Sequence, residues 1–173
     1  MFNMANKKEI DVIVIGGGHA GVEAANSAAN MGAKVCLITV DPSKIGVMSC
    51  NPAVGGIGKG HIVREIDALG GIMSKCADKG SIQYKMLNSS KGPAVRGPRC
   101  QADRKLYQRA IYEEVSSNSN IEILTAMVKS LLIRNRKVEG AIINNDKRVF
   151  AKSVVLTTGT FLNGLIHIGS KKI

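Results

Sequence analysis

Residues 10 to 15, IDVIVI, are β-branched and nearly all apolar, which predicts a short buried strand. The glycine run GGGHAG follows at 16 to 21. VEAANSAANMG then has the alanine-rich composition of a helix, closed by Gly32. KVCLIT at 34 to 39 predicts a second buried strand, so residues 10 to 39 make one βαβ unit of the kind a parallel sheet requires. Residues 41 to 60, DPSKIGVMSCNPAVGGIGKG, are too rich in Gly and Pro for a strand and read as a long loop.

Helical spacing returns at 61 to 69, where Ile62, Ile66 and Leu69 recur on one face, and again at about 71 to 78. Residues 84 to 100, with NSSKGPAVRGPR, read as loop. A long helix is predicted over 102 to 117, with Leu106, Ala110, Ile111 and Val115 forming its apolar face. From 121 the period changes to that of strands. IEIL, VKSLLIR, KVEGAII and RVFA are separated by NRK and NNDK turns and predict a small antiparallel meander. SVVLT at 153 to 157 predicts a last buried strand, followed by a second glycine segment. The expected fold is α/β, a Rossmann-type domain with a parallel sheet and an antiparallel meander. A tail at 1 to 9 precedes a domain spanning 10 to 173.

The run Gly16-Gly17-Gly18-His19-Ala20-Gly21 satisfies G-x-G-x-x-G directly after a strand and directly before a helix. Gly16 permits the tight turn, Gly18 lets the backbone approach a pyrophosphate, and Gly21 allows helix to pack on strand. The helix N-terminus offers free N–H groups to phosphates. A glycine turn with no ligand is the plain alternative. His19 lies inside the turn, so its backbone matters more than its ring. The acidic residue expected at the end of the second strand is not clear: Thr39 ends the strand and Asp41 follows two residues later, leaving Thr39 to bond a ribose hydroxyl more weakly than a carboxylate would.

Composition narrows the classes. Of 173 residues, 24 are Lys or Arg and 13 Asp or Glu, a formal charge of +11. The 45% hydrophobic content excludes a disordered polyelectrolyte. Aromatics at 3%, with no Trp, argue against a stacking platform for single-stranded nucleic acid. The charge points to an anionic partner, with a basic solubilising surface as the alternative. Four dispersed cysteines, without CxxC or zinc-ligand spacing, fit free thiols in a reducing, cytoplasmic setting. No apolar run approaches a membrane span or a signal-peptide core.

Three longer segments are more distinctive: MSCNPAVGGIGKGH at 48 to 61, REIDALGG at 64 to 71 and SSKGPAVRGPRCQADR at 89 to 104. With TTGTFLNGLIHIG at 157 to 169, they resemble the MnmG or GidA family, the large FAD-binding subunit of a tRNA wobble-uridine modification enzyme. A strand ending in Thr157-Thr158-Gly159 is also similar to the layout of two-dinucleotide-binding flavoproteins, in which that turn lies near the bound FAD. The resemblance implies FAD rather than NAD at Gly16 to Gly21, a backbone contact at Val128, and a flavin site at Thr158 and Gly159. It further implies NADH as reductant, a GTPase partner of the MnmE type, tRNA as substrate and a cytoplasmic homodimer that assembles into larger complexes with that partner. The implied reaction adds a carboxymethylaminomethyl or aminomethyl group at C5 of uridine 34, using a folate-derived one-carbon unit. Family members are several times longer, so this chain is expected to be an incomplete, N-terminal part. The folate- and FAD-dependent tRNA uridine methyltransferase TrmFO is a close alternative, and a non-catalytic FAD- or RNA-binding module is another; the CNPAVGGIGKGH loop favours MnmG.

Against that background Cys50 is a candidate thiolate nucleophile toward the uracil ring, or else a buried small hydrophobe beside the flavin. Position 55 is Gly, which disfavours a redox pair with a second Cys five residues on. Cys36 reads as core. His61 follows Lys59 and reads equally as substrate-facing or as a surface residue at a helix start. Lys85, Lys91, Arg96, Arg99, Arg104, Lys105 and Arg109 stand against one acid, Asp103, within 25 residues. Lys91, Arg96, Arg99 and Arg104 are the tRNA-contact candidates of this stretch, with a solvated basic face as the alternative.

Overall fold

The computed structural model describes residues 10–160, 162, 165 and 167–172; the tail at 1 to 9 lies outside them, as does part of the second glycine segment. A parallel four-stranded sheet divides the chain into three layers. Its strands are β1 (Val12–Ile15), β2 (Val35–Thr39), β6 (Ile121–Thr125) and β10 (Ser153–Leu156), in the order β10-β1-β2-β6. Helix α1 (His19–Asn30) connects β1 to β2. On one face, Val14, Val35, Leu37 and Ile121 pack against α1, α3 (Met73–Lys79) and α4 (Arg104–Ser117). On the other, Ile13, Ile15, Cys36 and Ile38 pack against the antiparallel sheet of β7 (Val128–Arg134), β8 (Lys137–Ile143) and β9 (Arg148–Phe150). Successive side chains of a strand point to opposite faces, and because both faces are covered the strands show unbroken apolar runs. The expected fold class is the observed one.

Between β2 and α4 lies an excursion that the sequence pattern hides. It holds β3 (Ala53–Gly55), α2 (Lys59–Ala68), α3, β4 (Ser81–Leu87) and β5 (Gly97–Ala102), with sheet order β3-β5-β4. Strands therefore replace parts of both predicted loops, 41 to 60 and 84 to 100. They carry Gly and Pro because their pairing partners, rather than their own propensity, hold them extended: Gly55 pairs with Arg99, and Leu87 with Gly97. Residues 167–168 and 171–172 form a final hairpin, β11 and β12.

Four further expectations change. IEIL does not belong to the meander: β6 runs parallel to β2, Ile121 opposite Val35. SVVLT is not buried on both faces, because β10 is an edge strand with three of its four residues exposed. Leu106 is 53% exposed and Tyr107, at 0%, takes its place in the core of α4. Ile62 on α2 and Leu69 at its C-cap are 57% and 88% exposed, since α2 packs on α3 and β3 through other positions, Gly60 being its buried residue. Among the described residues no helix is long and apolar enough to cross a membrane.

Helix α4 starts at Asp103, whose carboxylate accepts from the Lys105 and Leu106 N–H groups at 2.8 and 2.9 Å. It is tied to α3 by Glu114, which bonds Lys79 at 2.7 Å and Lys75 at 2.9 Å. The hydrogen bonds from Lys79 and then Lys75 hold the Glu114 carboxyl below its ordinary 4.5. A carboxyl lowered in the folded state stabilises above its unfolded pKa and loses that contribution as pH falls through the folded value. Glu114→Gln is expected to lower the thermal midpoint at pH 7 by about 2 °C. That difference closes as the pH is taken below 4.5. Melting curves of the two proteins from pH 7 to pH 3 check this, and a gap that persists at pH 3 would contradict it.

Candidate dinucleotide site and basic hairpin

The carboxyl ends of β1, β2 and β10 meet at the glycine turn. Gly16 has φ +111°, a conformation that L side chains rarely adopt, and its N–H donates to the Ile38 carbonyl at 2.9 Å. A Cβ on Gly16 would lie 2.4 Å from the Thr157 carbonyl oxygen. A Cβ on Gly21 would lie 1.8 Å from the Gly16 carbonyl oxygen, so α1 rests directly on the turn. Gly17 lies against Thr39 and Ile45, and its carbonyl accepts from Gly46 N–H at 2.9 Å. Gly18 differs: a Cβ there would meet nothing within 4 Å. Gly18 is also the N-cap of α1, with no side-chain cap bond and no acidic residue in the first turn. The positive end of the helix dipole and the first N–H groups thus face an open approach, which suits a phosphate oxygen.

The second glycine segment closes on the first. Thr157 donates its hydroxyl to the Ile15 carbonyl at 2.8 Å and sits 3.2 Å from the Gly16 carbonyl. This bond places Thr158 and Gly159, the latter at φ +61° and exposed, beside the turn. The site therefore lies where β1 is flanked by β2 on one side and β10 on the other, the crevice in which open α/β sheets take their ligands.

Thr39 is buried beneath Gly17, with its hydroxyl turned toward the Asp41 carbonyl at 3.4 Å. Asp41 accepts from Ser43 N–H at 2.9 Å, capping a 3-10 turn at Pro42–Lys44. Ala126 N–H donates to the Thr39 carbonyl at 3.0 Å, so the chain crosses the end of β2 and enters β7 at Val128 two residues later. The turn, Thr39 and the approach to Val128 are thus brought together. Ala20 is exposed, whereas the ring of His19 packs 5.7 Å from that of Tyr107. Burial, and then the charge of Lys59, push His19 below its ordinary pKa. Lys59, whose ammonium donates to the Ala53 carbonyl at 3.2 Å, is a neighbour of the turn that the sequence reading left out. The signal was its place in GGIGKG, a second glycine run ending in a helix start.

Cys50 is exposed and free. Its carbonyl accepts a bond from the Arg104 guanidinium, which ties the Cys50 backbone to the start of α4. Cys36 is core, and burial pushes its thiol up to about 12. The basic stretch divides between elements. Lys91 and Arg96 close the β4–β5 tip, Arg96 donating to the Lys91 carbonyl at 3.0 Å. Lys85 and Arg99 lie on the ladder itself. Arg104 begins α4, and Arg109 pairs with Glu113 at 2.7 Å.

A family model described as "Glucose inhibited division protein A" matches residues 11–173. The chain belongs to the GidA family. It is 57% identical over 165 residues to the tRNA uridine 5-carboxymethylaminomethyl modification enzyme MnmG of Salinibacter ruber, covering 94% of this chain and 25% of that relative. The solved GidA of Aquifex aeolicus superposes with a TM-score of 0.90 at 52% identity, over 95% of this chain and 27% of that one. A probable FAD-dependent monooxygenase of Pseudomonas aeruginosa, PqsL, shares the fold at 17% identity, with a TM-score of 0.62 over 88% of this chain and 43% of its own. The chain spans about a quarter of the length of the GidA relatives.

The glycine geometry of this GidA chain separates two substitutions. Gly18→Ala is expected to leave stability within about 0.5 kcal/mol, because a Cβ there meets nothing within 4 Å, and to weaken binding of a dinucleotide held at the turn about tenfold or more. Gly21→Ala is expected to destabilise the fold itself by about 3 kcal/mol or more. Chemical denaturation and a binding titration on both variants check this. Equal effects of the two on stability would contradict it.

Proposed function

We propose that this chain is the FAD-binding portion of a tRNA-modifying flavoenzyme, in which the residues Gly16 to Gly21 hold the FAD pyrophosphate. The observation that carries the reading is the open face at Gly18 over an uncapped helix N-terminus, locked to Thr157-Thr158-Gly159, in a chain with the sequence of a GidA. The three glycines divide the work. Gly16 makes the turn, Gly21 seats the helix, and Gly18 leaves room for phosphate oxygens to reach backbone N–H groups. Thr39 and the backbone at Val128 border the adenosine side, and Thr158 and Gly159 border the flavin side.

FAD held at Gly16 to Gly21 would supply hydride chemistry, with NADH as the source of its reducing equivalents. The product is a tRNA carrying a carboxymethylaminomethyl group at C5 of the wobble uridine, formed with an MnmE-type GTPase in the cytoplasm by a homodimer of the longer polypeptide. Cys50, exposed and held by Arg104 through its carbonyl, is the candidate nucleophile toward the uracil ring. Lys91, Arg96, Arg99 and Arg104 contact the tRNA backbone, since clustered cations are the electrostatic footprint of such surfaces.

Purification of the complete polypeptide is expected to yield visible flavin absorbance, and its gene is expected to restore wobble-uridine modification, read by nucleoside mass spectrometry, to cells lacking the enzyme. Flavin without restoration would reduce the reading to a binding module. Cys50→Ser is expected to keep the flavin and lose the modification. Full modification by that variant would remove Cys50 from the chemistry.

A further inference from the structure

In the β3-β5-β4 sheet, β3 and β5 reach the core, whereas β4 is exposed along most of its length. Val54, Cys100 and Tyr84 are aligned across the three strands, and Val54 and Cys100 enter the core. One register step along, Gly55, Arg99 and Lys85 are aligned on the opposite face. Lys85 and Arg99 are thus direct antiparallel partners, with Cβ atoms about 5 Å apart. Like charges so placed destabilise a ladder. Lys85 is exposed and Arg99 half-buried, and Gly55 has no side chain to cover the guanidinium. Gln83 and Gln101, aligned at the next same-face position, extend the polar surface.

Several other cations of this chain are matched by a carboxylate. Lys75 and Lys79 bond Glu114, Arg109 bonds Glu113, Lys129 bonds Asp146 and Lys152 bonds Asp11, all within 3.0 Å. Among the described residues Lys85 and Arg99 have no carboxylate and no hydrogen-bond acceptor. The repulsion is therefore built in and left uncompensated by the protein, as at a seat whose counter-charge is a ligand.

We propose that Lys85 and Arg99 together bind one phosphate group, the guanidinium as a planar fork and the ammonium as a point charge. The inference rests on the tRNA reading in taking that phosphate to be an RNA phosphodiester. A phosphate of the bound dinucleotide would satisfy the same chemistry.

The test uses the complete polypeptide with its cofactor bound and the variants Lys85→Gln, Arg99→Gln and their double, with Lys147→Gln as a distant exposed control. Each single variant is expected to weaken tRNA binding about tenfold and to reduce the salt slope by about 1. The double variant should lose little more affinity than either single, because both groups hold one phosphate. Without tRNA, the Lys85→Gln thermal midpoint should be equal to or above that of the parent, since a repulsion is removed. Lost flavin with retained tRNA affinity would place the seat on the dinucleotide's phosphate. Unchanged salt slope and unchanged flavin content in the double variant would overturn the proposal, as would fully additive losses or a lower midpoint for Lys85→Gln. If the parent polypeptide binds no tRNA at any salt, the functional reading fails, and the flavin arm alone decides the seat.

Discussion

The first turn of α1 lies so close to the backbone of Gly16 that no side chain fits at Gly21, and the rest of the site follows from that approach. It fixes where the helix begins relative to the end of β1. It thereby aims the free N–H groups over Gly18, and it leaves the Gly16 carbonyl to be shared with the Thr157 hydroxyl. The layers around it serve the same geometry. The parallel sheet is sealed by helices on one face and by the meander on the other, so β1 and β2 can end together in a crevice without exposing their apolar middle. Thr39 and Ile45 fill the space under Gly17, completing the floor.

Most of this was legible in the sequence because it rests on strong local signals. A β-branched run, a glycine turn and an alanine-rich helix each have one physical reading, and they agree. What stayed hidden was set by tertiary partners. β3 and β5 contain Gly55, Gly97 and Pro98, which no propensity would place in strands; Gly55 is held by its pairing with Arg99, and Gly97 and Pro98 by theirs with Leu87 and Met86 of β4. On α4 the periodicity offered Leu106, yet the helix is rotated so that Tyr107 goes inward against His19. The isoleucine spacing of α2 predicted a buried stripe, but the helix sits on its glycine, where the backbone approaches Pro98 closely.

The basic stretch shows the same division. Its charge could be counted from the sequence, but its organisation could not. Register alone sets Lys85 opposite Arg99, and folding alone sends Arg104 to the Cys50 carbonyl and Arg109 to Glu113. Seven cations that look equivalent as text become structural ties in some positions and, among the described residues, side chains without an acceptor in others.

The Thr157 hydroxyl reaches the Ile15 carbonyl across 142 residues of chain. The glycine turn is synthesised before the strand that completes it. At about 5–20 residues per second, roughly 7–28 s separate the synthesis of the two. Throughout that interval β1 has an open edge on the β10 side, and the turn lacks the carbonyl contact that shapes it. The nascent chain therefore completes the geometry of the turn late and all at once, so that its final shape reports completion of the sheet rather than emergence of the motif.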